Sequence, residues 1–327
     1  MSVVIFAPSP VLTVTIEGQP DSDDGDVHVH AGGQGVWQAR MLRRLGVDVT
    51  MCCVLTGESG QVLKHLLEDE GLTVVAVERP GRGGAYVHDR RGGERQPIIE
   101  TAGDPLSRHE LDEIYGAVLG AGLDASLVIL SGPASEDALP ADVYRRLAAD
   151  LRTAKTRVLA DLAGDRLDAA ITGGAYLIKV SDEELVADGR IPESTTEDII
   201  EAMTSIHEAG VSVVVVTRAD RPLLMLADGI LSEVTTPTME VADHRGAGDS
   251  LTAGIAASLS GGGTAQDAIV LGAAAGTLNV TRHGLGTGDA DTISRFTSLV
   301  TLRELGRASG TSSTLSPDEL ARRLSPS

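Results

Sequence analysis

A mostly parallel β-sheet covered by helices on both faces, with a small accessory sheet attached, is the α/β fold class that this sequence predicts. Three observations lead there. Short apolar runs rich in Val, Ile and Leu recur along the chain, segments of helical length lie between them, and two stretches break the rhythm by alternating apolar and polar residues. At 327 residues the chain is long enough for one large α/β body with an appendage.

The first strand is the run VVIFA beside the N-terminus. Residues 11–30, VLTVTIEGQPDSDDGDVHVH, alternate apolar and polar side chains around an acidic turn, as a hairpin with one face in water does. A helix is expected over 39–45, ended by Gly46, then the strand run VTMCCVL at 49–55, then a helix over 61–70 ended by Gly71. Residues 79–100, containing GRGGAYVHDRRGGERQPII, predict a second hairpin, and the two hairpins together predict the accessory sheet over one end of the body. SLVILSG (126–132), RVLADLA (157–163), AYLIKV (175–180) and SVVVVT (212–217) read as buried strands, with a helix over 141–151. The stretch ASGTSSTLS is linker-like and precedes a short helix signal at Ser316-Pro317-Asp318-Glu319, so 308–327 is expected to be a peripheral tail. The expected organisation is a main body of 1–10, 31–78 and 101–307, with 11–30 and 79–100 forming a lid-like sheet. Ligands on such a body sit beyond the strand C-termini.

Forty-seven acids against 27 bases give a net charge of −20, which repels nucleic-acid backbones and anionic membrane surfaces. An aromatic content of 2% leaves few stacking platforms for single strands. No apolar run reaches about 18 residues, and the opening MSVVIFAPSP lacks a basic leader, so a cytoplasmic protein without a membrane span is expected. Cys52 and Cys53 are adjacent on a strand and point to opposite faces, which predicts buried thiols and no disulfide. His28 and His30 share a strand face but have no third ligand nearby, and read as half-exposed strand residues.

The chemistry concentrates in DHRGAGDSLTAGIAASL, from Asp243 to Leu259. A glycine-rich turn runs straight into a helix, so the backbone N–H groups near Gly246, Ala247 and Gly248 point forward unpaired, and the helix start carries about half a positive charge. Asp249, in the first turn, can face an anion pocket there and act as a general base. An isolated GAGD fits equally well a tight turn whose acid offsets the helix dipole. AGGQGVWQARMLRRLG, from Ala31 to Gly46, repeats the arrangement: Gly32 and Gly33 would let a hydroxylated ligand lie against bare backbone. Two such helix starts suggest two ligands approaching each other. There is no G-x-x-x-x-G-K-[ST] loop, no Rossmann fingerprint after a strand, no zinc spacing and no G-x-S-x-G elbow.

On these residues the chain resembles the PfkB, or ribokinase-like, carbohydrate kinases. AGGQG with its following A-R-x-L-x-x-L-G helix is similar to the family's first signature, and RGAGDSLTAG to its second. VLADLAGDRL resembles D-x-S-G-x-x-L and LIKVSDEEL resembles K-P-N-x-x-E-L, which favours the phosphosugar-kinase branch of 1-phosphofructokinase and tagatose-6-phosphate kinase. The resemblance implies a ribokinase-like three-layer α/β/α domain with a β-lid, and transfer of the γ-phosphoryl group of ATP, with Mg²⁺, to a hydroxyl of a sugar or sugar phosphate. It implies Asp249 as base, the amides of Gly246, Ala247 and Gly248 as the anion hole, Lys179, Thr217 and Asn279 along the nucleotide, and Glu184 organising Mg²⁺ through water. Gly32, Gly33, Trp37, Thr13 and Arg82 would line the acceptor site, Arg82 reaching the substrate phosphate from the lid.

Several positions depart from the family pattern. Thr13 stands where the branch has the acid of N-P-A-x-D. Gln34 replaces a lysine and Trp37 an asparagine in the first signature, Ser181 replaces the asparagine of K-P-N, and TRADRP stands for S-L-G-x-x-G. An indole at the sugar site offers a stacking surface and one donor but no acceptor. These departures keep two alternatives in view: a non-catalytic sugar-phosphate or nucleotide sensor on the kinase scaffold, and a nucleoside kinase. A homodimer through the lid is expected, because a small sheet leaves edges and an apolar face to cover.

Overall fold

The computed structural model describes residues 2–18, 25–239, 245–281 and 286–307. Along the chain the elements are β1 (Ser2–Phe6), β2 (Val11–Gly18), β3 (Gly25–Gly32), α1 (Gln34–Arg44), β4 (Asp48–Thr56), α2 (Gly57–Asp69), β5 (Thr73–Arg79), β6 (Ala85–Asp89), β7 (Gln96–Thr101) and α3 (Arg108–Leu123). There follow β8 (Leu127–Ser131), α4 (Asp142–Thr153), β9 (Val158–Asp161), α5 (Gly164–Gly173), β10 (Leu177–Ser181), α6 (Asp182–Ala187), α7 (Thr196–Glu208), β11 (Val213–Arg218), β12 (Arg221–Ala227) and β13 (Ile230–Thr235). The last are α8 (Ala247–Ser260), α9 (Ala265–Val280), α10 (Ala290–Phe296) and β14 (Thr301–Arg307).

Ten strands form one sheet in the order β14-β13-β12-β11-β10-β9-β8-β1-β4-β5. The strands from β11 to β5 pair in parallel, and β12 to β14 add an antiparallel edge. A parallel sheet buries both faces, and the apolar residues divide accordingly. Residues of α1, α2, α8, α9 and α10 cover one face, and residues of α3 to α7 cover the other. Cys53 belongs to the first layer and Cys52 to the second, so the adjacent thiols do point apart, and burial pushes Cys52 up to about 12. The chain leaves β1 for β4 on one side and returns to β8 on the other, which opens a crevice at the strand C-termini beside β1.

The accessory sheet has four strands in the order β3-β2-β6-β7. Both hairpins are antiparallel, but β2 and β6 join them in parallel, with Val14 opposite Val87. Its strands reach Thr101, whereas residues 73–79 form β5 of the main sheet, so the second hairpin starts later than its composition suggests. One face carries the row Val29, Val14, Val87, Ile99, and the other carries Thr13, Thr15, His28, His30, Tyr86 and His88. His28 is exposed 3.8 Å from Glu17, and the His88 ring is bonded to the Thr15 hydroxyl at 3.0 Å.

Some elements begin earlier than periodicity indicates. The first long helix starts at Gln34, because Gly33, at φ 109°, turns the chain directly into it. The antiparallel edge was signalled only by the Asp228-Gly229 turn, whose residues have φ of 52° and 71°. The predicted tail helix lies outside the described residues.

Helices α8 and α9 pack with almost no side-chain spacer. A Cβ on Gly254 would lie 2.6 Å from the Gly272 Cα and 2.8 Å from the Leu271 carbonyl oxygen. Gly254→Ala must therefore push the two helices apart, and a loss of about 1–3 kcal/mol is expected in urea unfolding.

Candidate active site

Three neighbouring strands of the parallel sheet carry polar residues at matching register at or near their C-terminal ends. Ser131 on β8 lies opposite Asp161 on β9, and Asp161 lies opposite Lys179 on β10. All three are buried, which would cost several kcal/mol for the charges alone unless they were paired. They are paired. The Lys179 ammonium donates to Asp161 Oδ1 at 3.0 Å, and Asp161 Oδ2 accepts from the Thr252 hydroxyl at 2.7 Å and the Gln38 amide at 2.9 Å. The Ser131 hydroxyl donates to Gln38 Oε1 at 2.5 Å and so fixes which end of that amide faces the carboxylate. Burial disfavours the Lys179 charge, but Asp161, Glu184 and Asp249 outweigh it and hold the lysine above its ordinary value, firmly protonated.

Helix α8 delivers the remaining acid. Its N-cap, Gly246, sits at φ 71°, a left-handed conformation that suits glycine, and Ala247, Gly248 and Asp249 form the first turn. The N–H groups there have no intrahelical acceptor. A Cβ on Gly248 would lie 2.9 Å from the Lys179 Nζ, so the ammonium sits directly against the start of the helix. Asp249 is buried, and its carboxyl is pushed up to about 8, first by burial, then by Asp161, against the pull of Lys179.

Two cavities flank this cluster. One, of ≈860 Å³, is lined by Lys179, Thr217, Ala247, Gly248 and Thr277, with Asp182, Arg218 and Arg221 at its other side. There Arg221 donates to Asp182 Oδ2 at 2.5 Å, and the Thr217-Arg218-Ala219-Asp220 turn holds Ala219 at φ 41°. The second, of ≈570 Å³, is bordered by Gln34, Gly132, Asp161 and Glu184. Glu184 Oε2 accepts from the Ser181 N–H at 2.7 Å and the Ser181 hydroxyl at 2.8 Å, so Ser181 and Glu184 cap α6 reciprocally.

The expected site residues do not all gather here. Gly246, Ala247, Gly248, Asp249, Lys179 and Thr217 do. Asn279 is buried, but its amide is used up elsewhere: Nδ2 donates to the Arg245 carbonyl at 2.7 Å, and Oδ1 accepts from Gly286 N–H at 3.0 Å. It ties the turn before α8 to the segment before α10 and borders neither cavity. Gly32 and Thr13 are buried against each other at the hinge of the accessory sheet, and Gly33 caps α1. Trp37 faces a third cavity under the accessory sheet. Arg82 lies in solvent 3.6 Å from Asp104 and borders none of these cavities.

Asp161, Gln38, Ser131 and Thr252 were not singled out by the sequence. The clue available was that the strand run 157–163 carries an acid, Asp161, where a buried charge must find a partner across the sheet. Gln38 gives no such clue, since a glutamine one residue from a tryptophan reads as a solvated helix position.

Residues 9–293 match the pfkB family carbohydrate kinase pattern, and the chain belongs to that family. It is 28% identical over 270 residues to the ATP-dependent 6-phosphofructokinase isozyme 2 of Mycobacterium tuberculosis, covering 81% of this chain and 78% of that protein. To the 1-phosphofructokinase of Bacillus subtilis it is 26% identical over 261 residues, covering 79% and 84%. The fold aligns with phosphofructokinase-2 from Escherichia coli, solved in complex with potassium, at a TM-score of 0.79 and 22% identity over 90% of this chain and 98% of that one. The architecture is the ribokinase-like α/β fold. No helix among the described residues is long and apolar enough to cross a membrane.

Removing one partner of the buried ion pair leaves the other uncompensated. Lys179→Met is expected to cost about 3 kcal/mol in urea unfolding, and pairing it with Asp161→Leu should recover much of that loss.

Proposed function

We propose that the chain is an ATP-dependent hexose-phosphate kinase in which Asp249 accepts the proton of the acceptor hydroxyl. The observation that carries the reading is the buried Asp249 carboxyl in the first turn of α8, beside a protonated lysine and forward-pointing amides. The acceptor oxygen forms a bond to the γ-phosphorus of ATP as the bond to the β–γ bridging oxygen breaks, ADP departs, and the hydroxyl proton goes to Asp249. The amides of Gly246, Ala247 and Gly248 and the Lys179 ammonium neutralise charge developing on the transferred group. The ≈860 Å³ cavity with Thr217 takes the nucleotide, and Asn279 acts at a distance by holding the anion loop.

Mg²⁺, when bound with the nucleotide, supplies further charge neutralisation on its phosphates. Glu184 would hold it through water. The family resemblance assigns Gly32, Gly33, Thr13 and Trp37 to the acceptor side, and of these Trp37 lines a cavity, the third; Arg82, 3.6 Å from Asp104 in solvent, has no part in this reading. A cytoplasmic location goes with the reading, since ATP and hexose phosphates are cytoplasmic metabolites. The apolar outer row of the accessory sheet, with Val29 and Ile99 exposed at 45% and 54%, supports a homodimer through that face. Val29→Lys with Ile99→Lys should convert a dimer to monomer in light scattering, and a wild-type protein already monomeric at micromolar concentration would refute the dimer.

A coupled ADP-release assay with fructose 6-phosphate and other hexose phosphates tests the activity. Asp249→Asn should lower kcat by at least about 100-fold while calorimetry shows MgATP binding retained. Only ionised Asp249 accepts a proton, so kcat/KM should fall as pH drops through about 8. Stability runs the opposite way: the native state keeps a proton the unfolded chain has lost, so this group's contribution declines between pH about 4 and about 8.

A further inference from the structure

Helix α1 sends one uncharged polar side chain into the buried acid cluster. Gln38 is fully buried, its Oε1 accepts from the Ser131 hydroxyl at 2.5 Å, and its Nε2 donates to Asp161 Oδ2 at 2.9 Å. The amide nitrogen carries two hydrogens, so one remains after Asp161. Thr252 shows where it goes. One turn beyond Asp249 and on the same face of α8, Thr252 donates to that same Asp161 Oδ2 at 2.7 Å, which brings Asp249 alongside the contact between Asp161 and Gln38. The Gln38 side chain bonds the Asp249 carboxyl as well, and the bond favours its ionised form.

The surroundings of Asp249 explain why an amide suits this place. Asp161 from β9 and Glu184 from α6 oppose ionisation of Asp249, and Lys179 from β10, which favours it, is already bonded to Asp161 at 3.0 Å. A lysine or arginine in place of Gln38 would reach both acids but would add a charge that weakens Asp249 as a base. An apolar side chain would leave two buried carboxylates with no donor between them. The amide supplies two donors and no charge. Gln38 borders none of the three cavities, so whatever it does for the reaction it does through Asp249.

We propose that Gln38 is a positioning residue for phosphoryl transfer: its amide nitrogen bridges Asp161 and Asp249 and fixes the Asp249 carboxyl at the start of α8, while Ser131 keeps the donor end of the amide turned toward both acids. The part that Gln38 plays in transfer rests on the kinase reading, whereas the bridge stands without it.

Gln38→Met keeps the length of the side chain and removes both donors. Without that bond Asp249 keeps its proton to higher pH, so the acid limb of kcat/KM should move up by about one unit from about 8, and kcat/KM at pH 7 should fall about tenfold. At about pH 10, where Asp249 is ionised in both proteins, the loss should shrink to about threefold or less, with KM for MgATP within about twofold of wild type. Ser131→Ala frees the amide to turn and should move the limb the same way by less; it decides the matter if Gln38→Met does not fold. A loss of equal size at every pH, or an unmoved limb in a folded variant, overturns the proposal, because packing alone would act in that way.

Urea unfolding reads the bridge without any turnover. Between pH about 8 and about 9 the folding equilibrium constant of Gln38→Met should drop about tenfold more than that of the wild type, because its native state releases the Asp249 proton about one unit later. The extra drop should vanish when both proteins carry Asp249→Asn. A difference independent of pH overturns the bridge. If no acceptor is turned over, the kinase reading fails, and the unfolding series still decides whether Gln38 holds Asp249.

Discussion

One ion pair organises this protein. Lys179 and Asp161 meet at 3.0 Å on adjacent parallel strands, both nearly without water. A pair so placed gains little net stability over apolar residues of equal size. Its value lies in geometry: Asp161 also receives Thr252 from α8 and Gln38 from α1, so both helix starts are pinned to the same carboxylate. The glycines in the turns before those helices leave the backbone many conformations to choose from, and the buried acid gives both helices one shared reference point.

The second constraint is where positive charge is kept. With 27 bases against 47 acids, a phosphate approaching this surface meets a repulsive field unless cations are gathered locally. Lys179 at the helix start, with Arg218 and Arg221 across the same cavity, is one such gathering among the described residues. The rest of the acidic surface then opposes polyanions too large to enter that cavity.

Much of the fold was legible because strands buried on both faces announce themselves: VVIFA, VTMCCVL and SVVVVT have no polar alternative. The RGAGDSLTAG helix start was legible for a different reason, since glycines let the chain turn straight into a helix and the family resemblance singles out the acid among them. Asn279 is placed beside the nucleotide only by its family position, while its partners in the structure, the Arg245 carbonyl and the Gly286 amide, are backbone groups that sequence leaves unplaced. Arg82 is open in the same way: a lid arginine can reach inward or outward, and here it lies beside Asp104, 22 residues later. Gln38 and Ser131 were invisible because they matter only through strands brought side by side by the sheet.

The parallel joint between β2 and β6 bears on how the molecule is made. Val14 and Val87 face each other there, and between them the chain must complete α1, β4, α2 and β5. Closing so long a loop is entropically costly until those intervening pieces are docked, so the accessory sheet assembles late, after the β1-β4-β5 end of the main sheet exists. A nascent or partly unfolded chain therefore has no roof over its ligand cavities, and competence for binding arrives only with the mature globule.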